Sequence, residues 1–287
     1  MATRRSPTAR HRRLIGDLKR LREAQGLSRE QVAERIGSSE TSIFRYEKGE
    51  SRPQPGVVAA MLDVYGVSGG AERDELLEMA RDARKRGWWH RHRQSLKPGF
   101  DSYIGLEAAA SIVRTYEAQA VPGLLQTEAY ARASIEATSI NVVPAEVDER
   151  VDVRISRQDL ITRSTDRVQL IAILDEAVLR RQVGGPDATR EQIRHLITMA
   201  AQPNVVIHVL PFAAGAHPGM DGPFVLLSFP EPEDPDLVYL EQATSGLVPE
   251  EPGEVRRYTL MFGTLLGKAL PAEESVTFMT AITQNES

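Results

Sequence analysis

Apolar residues recur at helical spacing through the first third of the chain. Leu14, Ile15, Leu18 and Leu21 form one inward stripe, Val32, Ala33 and Ile36 a second, and Ile43 with Tyr46 a third. Val58, Met61, Leu62 and Tyr65 make a fourth, and Leu76, Leu77, Met79, Ala80 and Ala83 a fifth. Such stripes mark amphipathic helices, so residues 13–86 are expected to form a five-helix domain. From residue 100 the pattern changes. Helices are predicted over 104–118 and 123–136, on either side of Val121-Pro122-Gly123, and a long one over 144–163. The apolar runs at 168–174, 205–210, 224–229 and 237–240 predict strands, with helices at 189–201, 252–268 and 271–282. The expected fold is therefore a mainly α N-terminal domain followed by an α/β (α+β) domain with a small mixed sheet.

Residues 26–53, GLSREQVAERIGSSETSIFRYEKGESRP, carry the punctuation of two short helices in tandem. Ser28 with Gln31 three positions on is a capping box. Gly37 supplies a left-handed helix end, Ser39 can cap the next helix, and Gly49 ends it before Arg52-Pro53. With Ile43 and Tyr46 inward, Glu40, Thr41, Ser42 and Arg45 face out. This is the layout of a helix-turn-helix, whose second helix protrudes and fits a major groove.

Over residues 13–66 the motif and spacing closely resemble the XRE family of helix-turn-helix regulators. The resemblance implies that Arg29 touches phosphate and that Glu40, Thr41 and Arg45 face base edges. It also implies an ion pair between Arg22, late in helix one, and Glu47, late in the recognition helix. Glu40 stands where many relatives carry Gln or Arg; a carboxylate can accept from cytosine N4 but is repelled by phosphate. The second half, in YIGLEAAASIVRTYEAQAVPGLLQTEAYARASI, LDEAVLRRQVGG, VLPFAAGAHPGMDGPF and VYLEQATSGL, is similar to the C-terminal domain of actinobacterial, WhiJ-like regulators. That similarity implies an antitoxin-like transcription factor whose C-terminal domain engages a small partner protein encoded nearby, and it brings no catalytic residues.

Charge supports a division of labour. Residues 1–93 hold 20 Lys and Arg against 13 Asp and Glu, net +7, whereas residues 94–287 hold 15 against 27, net −12. A basic head on an acidic body suits a DNA reader tethered to a regulatory domain. The division expected is a basic arm at 1–12, the helix-turn-helix domain at 13–86, a linker at 87–102 and the regulatory domain at 103–287. The arm either follows phosphates or is a solvated tail. The chain has no cysteine, which excludes disulfides and thiol catalysis and permits a reducing cytoplasm. No apolar run approaches the roughly 18 residues that span a bilayer, and the arginine-rich start lacks a signal-peptide core. The expected localisation is cytoplasmic, without a membrane partner.

Residues 84–99, RKRGWWHRHRQSLKPG, hold both tryptophans beside a basic run. They either stack on unpaired bases or pin two domains together by burying apolar area. His90 and His92 lack the partners of a metal site. Gly263–Lys268 is one residue short of a phosphate-binding loop and reads as a helix with small residues facing a neighbour. No nucleophile elbow or zinc-protease motif occurs, so no cofactor, metal or enzymatic activity is expected; an enzyme with a DNA-binding leader stays as an alternative. His208 reads as a hydrogen-bonded core or edge histidine. Glu107, Tyr116, Glu117, Gln126, Thr127 and Tyr130 gather around the Val121-Pro122-Gly123 turn, and His217 lies in a glycine-rich loop. Together these line either a ligand or partner groove or a solvated helical hairpin.

The reading as a whole is a sequence-specific DNA-binding regulator that acts as a homodimer on a double-stranded operator. Ser28, Arg29, Ser39, Lys48 and Arg52 position phosphates, and Glu40, Thr41, Ser42 and Arg45 complete the DNA-facing set. The C-terminal domain dimerises and binds an effector or partner. An antitoxin that sequesters its partner and autoregulates is the second reading.

Overall fold

Periodicity places five helices before residue 86, and the computed structural model has five there. It describes residues 6–139, 143–231, 234–249 and 251–285, and the chain divides into two compact units, Met1–His90 and Arg91–Ser287. In the first, α1 (Pro7–Ala24), α2 (Arg29–Arg35), α3 (Glu40–Glu47), α4 (Pro55–Val64) and α5 (Ala71–Ala83) close around one core. Leu14, Leu18, Val32, Ile43, Met61 and Leu62 are fully buried in it. The Ser28–Gln31 capping box is complete, with Gln31 N–H donating to Ser28 Oγ at 3.1 Å and Ser28 N–H to Gln31 Oε1 at 2.9 Å. Gly37 at φ +65° lets the chain turn from α2 into α3 within a few residues.

The expected arm at 1–12 needs correction. α1 starts at Pro7, a residue suited to the first helical turn, and of the expected arm residues 1–5 alone fall outside the described residues. Its buried stripe is His11, Leu14, Leu18 and Arg22. Two of the four positions are polar, so a search for apolar periodicity starts one turn late. His11 Nε2 lies 3.3 Å from the Ser51 carbonyl, which fixes the start of α1 against the loop after α3.

The second unit is built on a six-stranded mixed sheet in the order β3-β2-β1-β4-β5-β6. Its strands are β1 (Ile112–Glu117), β2 (Gln169–Asp175), β3 (Val205–Leu210), β4 (Phe224–Ser228), β5 (Leu237–Glu241) and β6 (Gly246–Leu247). β1 pairs in parallel with β2 and antiparallel with β4, placing Tyr116 opposite Ile173 on one side and Phe224 on the other. The helices are α6 (Phe100–Ala109), α7 (Glu128–Thr138), α8 (Pro144–Arg157), α9 (Asp159–Thr162), α10 (Glu176–Arg180), α11 (Pro186–Ala200), α12 (Pro252–Lys268) and α13 (Ala272–Asn285). Alternation along β2 sends Leu170, Ala172 and Leu174 into a core shared with α7, α11 and α13, and Ile173 into a second core shared with α12. No described helix is long and apolar enough to cross a membrane.

Four sequence expectations change here. Residues 104–118, expected as one helix, are α6 followed by the central strand β1, with Ala110 leaving the helical region at ψ 144°. Ile112, Val113, Thr115 and Tyr116 suit a pleated surface, and strands on both sides satisfy the backbone groups. The predicted helix at 123–136 is a 3₁₀ turn at Gly123–Leu125, an extended Gln126, and α7 capped by Thr127. Gly263 and Gly267 do lie in a helix, α12, but they face open space, with nothing within 4 Å of an added Cβ, so no neighbour explains them. The segment expected as linker also carries structure: Ser95 is buried, and its hydroxyl donates to Glu149 at 2.6 Å in α8.

Candidate functional site

In the first unit one carboxylate ties three helices together. Glu47 accepts from Arg22 Nε at 2.5 Å, from Arg22 Nη2 at 3.1 Å and from Arg29 Nε at 2.7 Å. Its side chain is only 3% exposed, and Arg22 Nη1 donates on to the Leu27 carbonyl at 2.8 Å. Burial alone would raise the Glu47 carboxyl; the bonds from Arg22 and Arg29 outweigh it and hold the group below its ordinary value. The Glu47 hydrogen bond in turn raises Arg22. The end of α3 is thereby held against α1 and the start of α2.

This clamp leaves the outer face of α3 to solvent. Glu40, Thr41, Phe44, Arg45 and Lys48 are exposed along it. Arg45 comes only within 3.8 Å of Glu50, both more than half exposed, and such pairs contribute little, so the Arg45 guanidinium stays at the surface. Other expected DNA contacts are partly engaged. The resemblance gives Arg29 to phosphate, but its Nε is committed to Glu47. The Ser28 and Ser39 hydroxyls accept from Gln31 N–H at 3.1 Å and Ser42 N–H at 3.2 Å, and Ser42 Oγ lies 2.8 Å from Ser39 Oγ. Arg52 is exposed in the loop after α3. The residue that sequence reasoning missed is Phe44, 39% exposed on the same face, with the Arg29 guanidinium 5.5 Å and Lys48 Nζ 5.9 Å from its ring centroid. Its position one past Ile43, off the inward stripe, was the signal.

The second unit carries a half-open cavity of about 550 Å³ between one face of the sheet and α6, α7 and α8. Val113, Thr115 and Glu117 line it from β1, whereas Tyr116 packs in the core against α12. On its wall stands a buried ion pair. Glu107 Oε2 accepts from Arg157 Nε at 2.8 Å, and Oε1 accepts from Arg157 Nη2 and from the Tyr103 hydroxyl, both at 2.7 Å. The Arg157 guanidinium lies 5.1 Å from the Phe100 ring and 5.3 Å from the Tyr103 ring.

The groove expected around the Val121-Pro122-Gly123 turn is thus split. Glu107, Glu117 and Gln126 line the cavity. Thr127 caps α7, and the Tyr130 hydroxyl is buried, accepting from Val121 N–H at 3.2 Å. Tyr116 and His217 sit together elsewhere, ring centroids 5.9 Å apart, with His217 Nε2 3.8 Å from Asp175 Oδ2. Strand alternation is the cause: neighbours in sequence on β1 point to opposite faces. His208 lies on the edge strand β3 with Nδ1 2.9 Å from the Leu270 carbonyl.

Residues 16–76 match a family described as a helix-turn-helix domain. Residues 100–281, well over half of the chain, match a family described as a domain of unknown function, DUF5753. The chain belongs to the DUF5753 family. No curated protein and no solved structure matches it.

Among the described carboxyls of the DUF5753 domain, Glu117 has the most displaced titration. Burial pushes it up to about 8, opposed in part by a hydrogen bond from the Thr115 hydroxyl at 3.0 Å. Glu241 raises it further, and Arg154 lowers it without forming an ion pair. The folded domain therefore keeps a proton that an unfolded chain, with an ordinary value of 4.5, releases. This contribution to stability is fully present below that ordinary value and is lost as pH rises to about 8. Glu117→Gln should flatten the profile, gaining on the order of 1–3 kcal/mol relative to the parent between pH 5 and 8. Urea unfolding of both proteins across that range checks it; parallel profiles would show that Glu117 is ionised throughout.

Proposed function

We propose that this protein is a sequence-specific, DNA-binding transcriptional regulator of the XRE type, and that α3 is its recognition helix. The observation that carries this reading is the clamp of Glu47 by Arg22 and Arg29, which fixes α3 while Glu40, Thr41, Phe44, Arg45 and Lys48 stay outside. Arg45 is the residue to read guanine through its bidentate edge. Phe44 can meet a thymine methyl, and Lys48 and Arg52 meet phosphate. One short helix reads few base pairs, so the protein acts as a homodimer on a two-fold site, working on cytoplasmic DNA. The DUF5753 domain then has a binding rather than a catalytic role. It takes up an effector or, in the WhiJ-like and antitoxin-like manner, a small partner protein.

Selection of bound duplexes from a random pool tests the reading and yields the operator. With that operator, Arg45→Ala should weaken specific binding by roughly 1–3 kcal/mol and leave binding to random duplex nearly unchanged. No enrichment from the pool would remove the proposal. Equal losses on both duplexes in a gel-shift titration would show that Arg45 touches only backbone.

A further inference from the structure

Two of the arginines that face the cavity in the DUF5753 domain have no carboxylate. Arg150 and Arg154 stand one turn apart on α8 and both line it. Arg154 Nη1 donates at 2.8 Å to the neutral Gln126 Oε1. Arg150 Nε donates to the Ser95 carbonyl at 2.6 Å and Nη1 to the Ser139 hydroxyl at 2.9 Å. Among the described residues no Asp or Glu oxygen lies within ion-pairing distance of either guanidinium, whereas Arg157 has Glu107 and Arg114 has Asp236, both at 2.7 Å. The remaining cations on the lining are already matched: Arg157 by Glu107, and Lys97 by Glu241 at 2.8 Å. The one acid left over, Glu117, does not repay the deficit, because burial keeps it protonated through neutral pH. Burial lowers Arg154 to about 10 and the neighbouring charge of Arg157 adds to the effect; Glu241 and Glu117 act the other way from a distance but do not make up for it.

The rest of the lining says what else the occupant carries. Phe100 and Tyr103 stack at 5.5 Å between ring centroids and Tyr103 and Tyr239 at 4.1 Å, and all three border the cavity. The volume of about 550 Å³ is that of a small-molecule pocket. A guanidinium presents paired donors that match a carboxylate or a phosphate group.

We propose that this cavity binds a small organic anion, a carboxylate or phosphate ester with an aromatic or alicyclic body, whose charge is held by Arg150 and Arg154. This deepens the effector-binding reading of the DUF5753 domain and rests on it. The test uses no DNA, so its failure leaves the recognition-helix reading standing.

Three probes of one shape separate the alternatives: 1-naphthoate, 1-naphthyl phosphate and the neutral 1-naphthamide. They are titrated calorimetrically into the full chain. At least one anion should bind at one per chain, about tenfold or more tighter than the amide. Naphthoate alone binding assigns a carboxylate, and the phosphate alone assigns a phosphate ester. Arg154→Met should lose that binding by about tenfold or more, Arg154→Lys should lose part of it, and Arg257→Met, on the exposed face of α12, should lose none. Ligand-free melting of Arg154→Met establishes that the domain is folded; should it fail to fold, Arg150→Met carries the same expectation. Absence of binding by both anions, equal binding by the amide, or full binding by folded Arg154→Met and Arg150→Met would overturn the proposal.

Discussion

Glu107→Ala is expected to destabilise the DUF5753 domain by about 3–5 kcal/mol, because it leaves a buried guanidinium without its counter-ion. Glu107 is fully buried and the Arg157 side chain only 6% exposed. The carboxylate accepts three hydrogen bonds, two from Arg157 and one from Tyr103. Burial alone would lower Arg157; Glu107 outweighs it and raises the group well above its ordinary value. Burial raises the Tyr103 hydroxyl, and the same carboxylate adds to it. The pair as a whole is a different matter from either half, since desolvating two charges offsets most of what their attraction returns. The double variant Glu107→Leu with Arg157→Met should therefore be distinctly more stable than Glu107→Ala alone. Urea denaturation of the single and double variants measures both statements. A single-variant loss under about 1 kcal/mol would mean that water reaches Arg157 and compensates it.

Glu47→Ala should cost the helix-turn-helix unit a comparable amount, about 3–5 kcal/mol near neutral pH. Here two arginines, Arg22 and Arg29, lose one shared acceptor, and α3 loses the contact that sets its angle to α1 and α2. Because the Glu47 carboxyl is held below its ordinary value of 4.5, its contribution is present above that pH and is lost as pH falls below it. The gap between parent and variant should accordingly close in acid. Hydrogen exchange of the α1–α3 amides at pH 7 and under acid conditions follows this unit by itself. Unchanged protection in Glu47→Ala would place the orientation of α3 in the apolar core around Ile43 and not in the clamp. A variant that keeps its fold but loses operator binding would locate the role of Glu47 in positioning α3.

Much of the first unit was legible because what defines it is local. Ser28 and Gln31 are three residues apart, Gly37 turns the chain where it stands, and Ser39 caps the helix that follows it. Periodicity failed there only at the start of α1, where His11 takes a buried position that an apolar count passes over. The charge division and most helices and strands of the second unit were legible too, for the same reason.

What the sequence by itself determined, then, is the helix-turn-helix, the exposed outer face of its second helix and the α/β class of the rest. Tertiary structure decided that 112–117 is a strand: its β-branched and aromatic residues suit a pleated surface, but it is the pairing with β2 and β4 that selects strand over helix there. It alone decided that Glu117 faces the cavity while Tyr116, its neighbour, faces α12. It also decided which arginines have partners: Glu107 meets Arg157 across 50 residues of sequence, and Arg154, three positions before Arg157, meets no acid among the described residues. Hydrogen-bonded turns and stripes depend on neighbours a few residues away, whereas burial and charge pairing depend on which distant segments the fold brings together, and no local pattern records that.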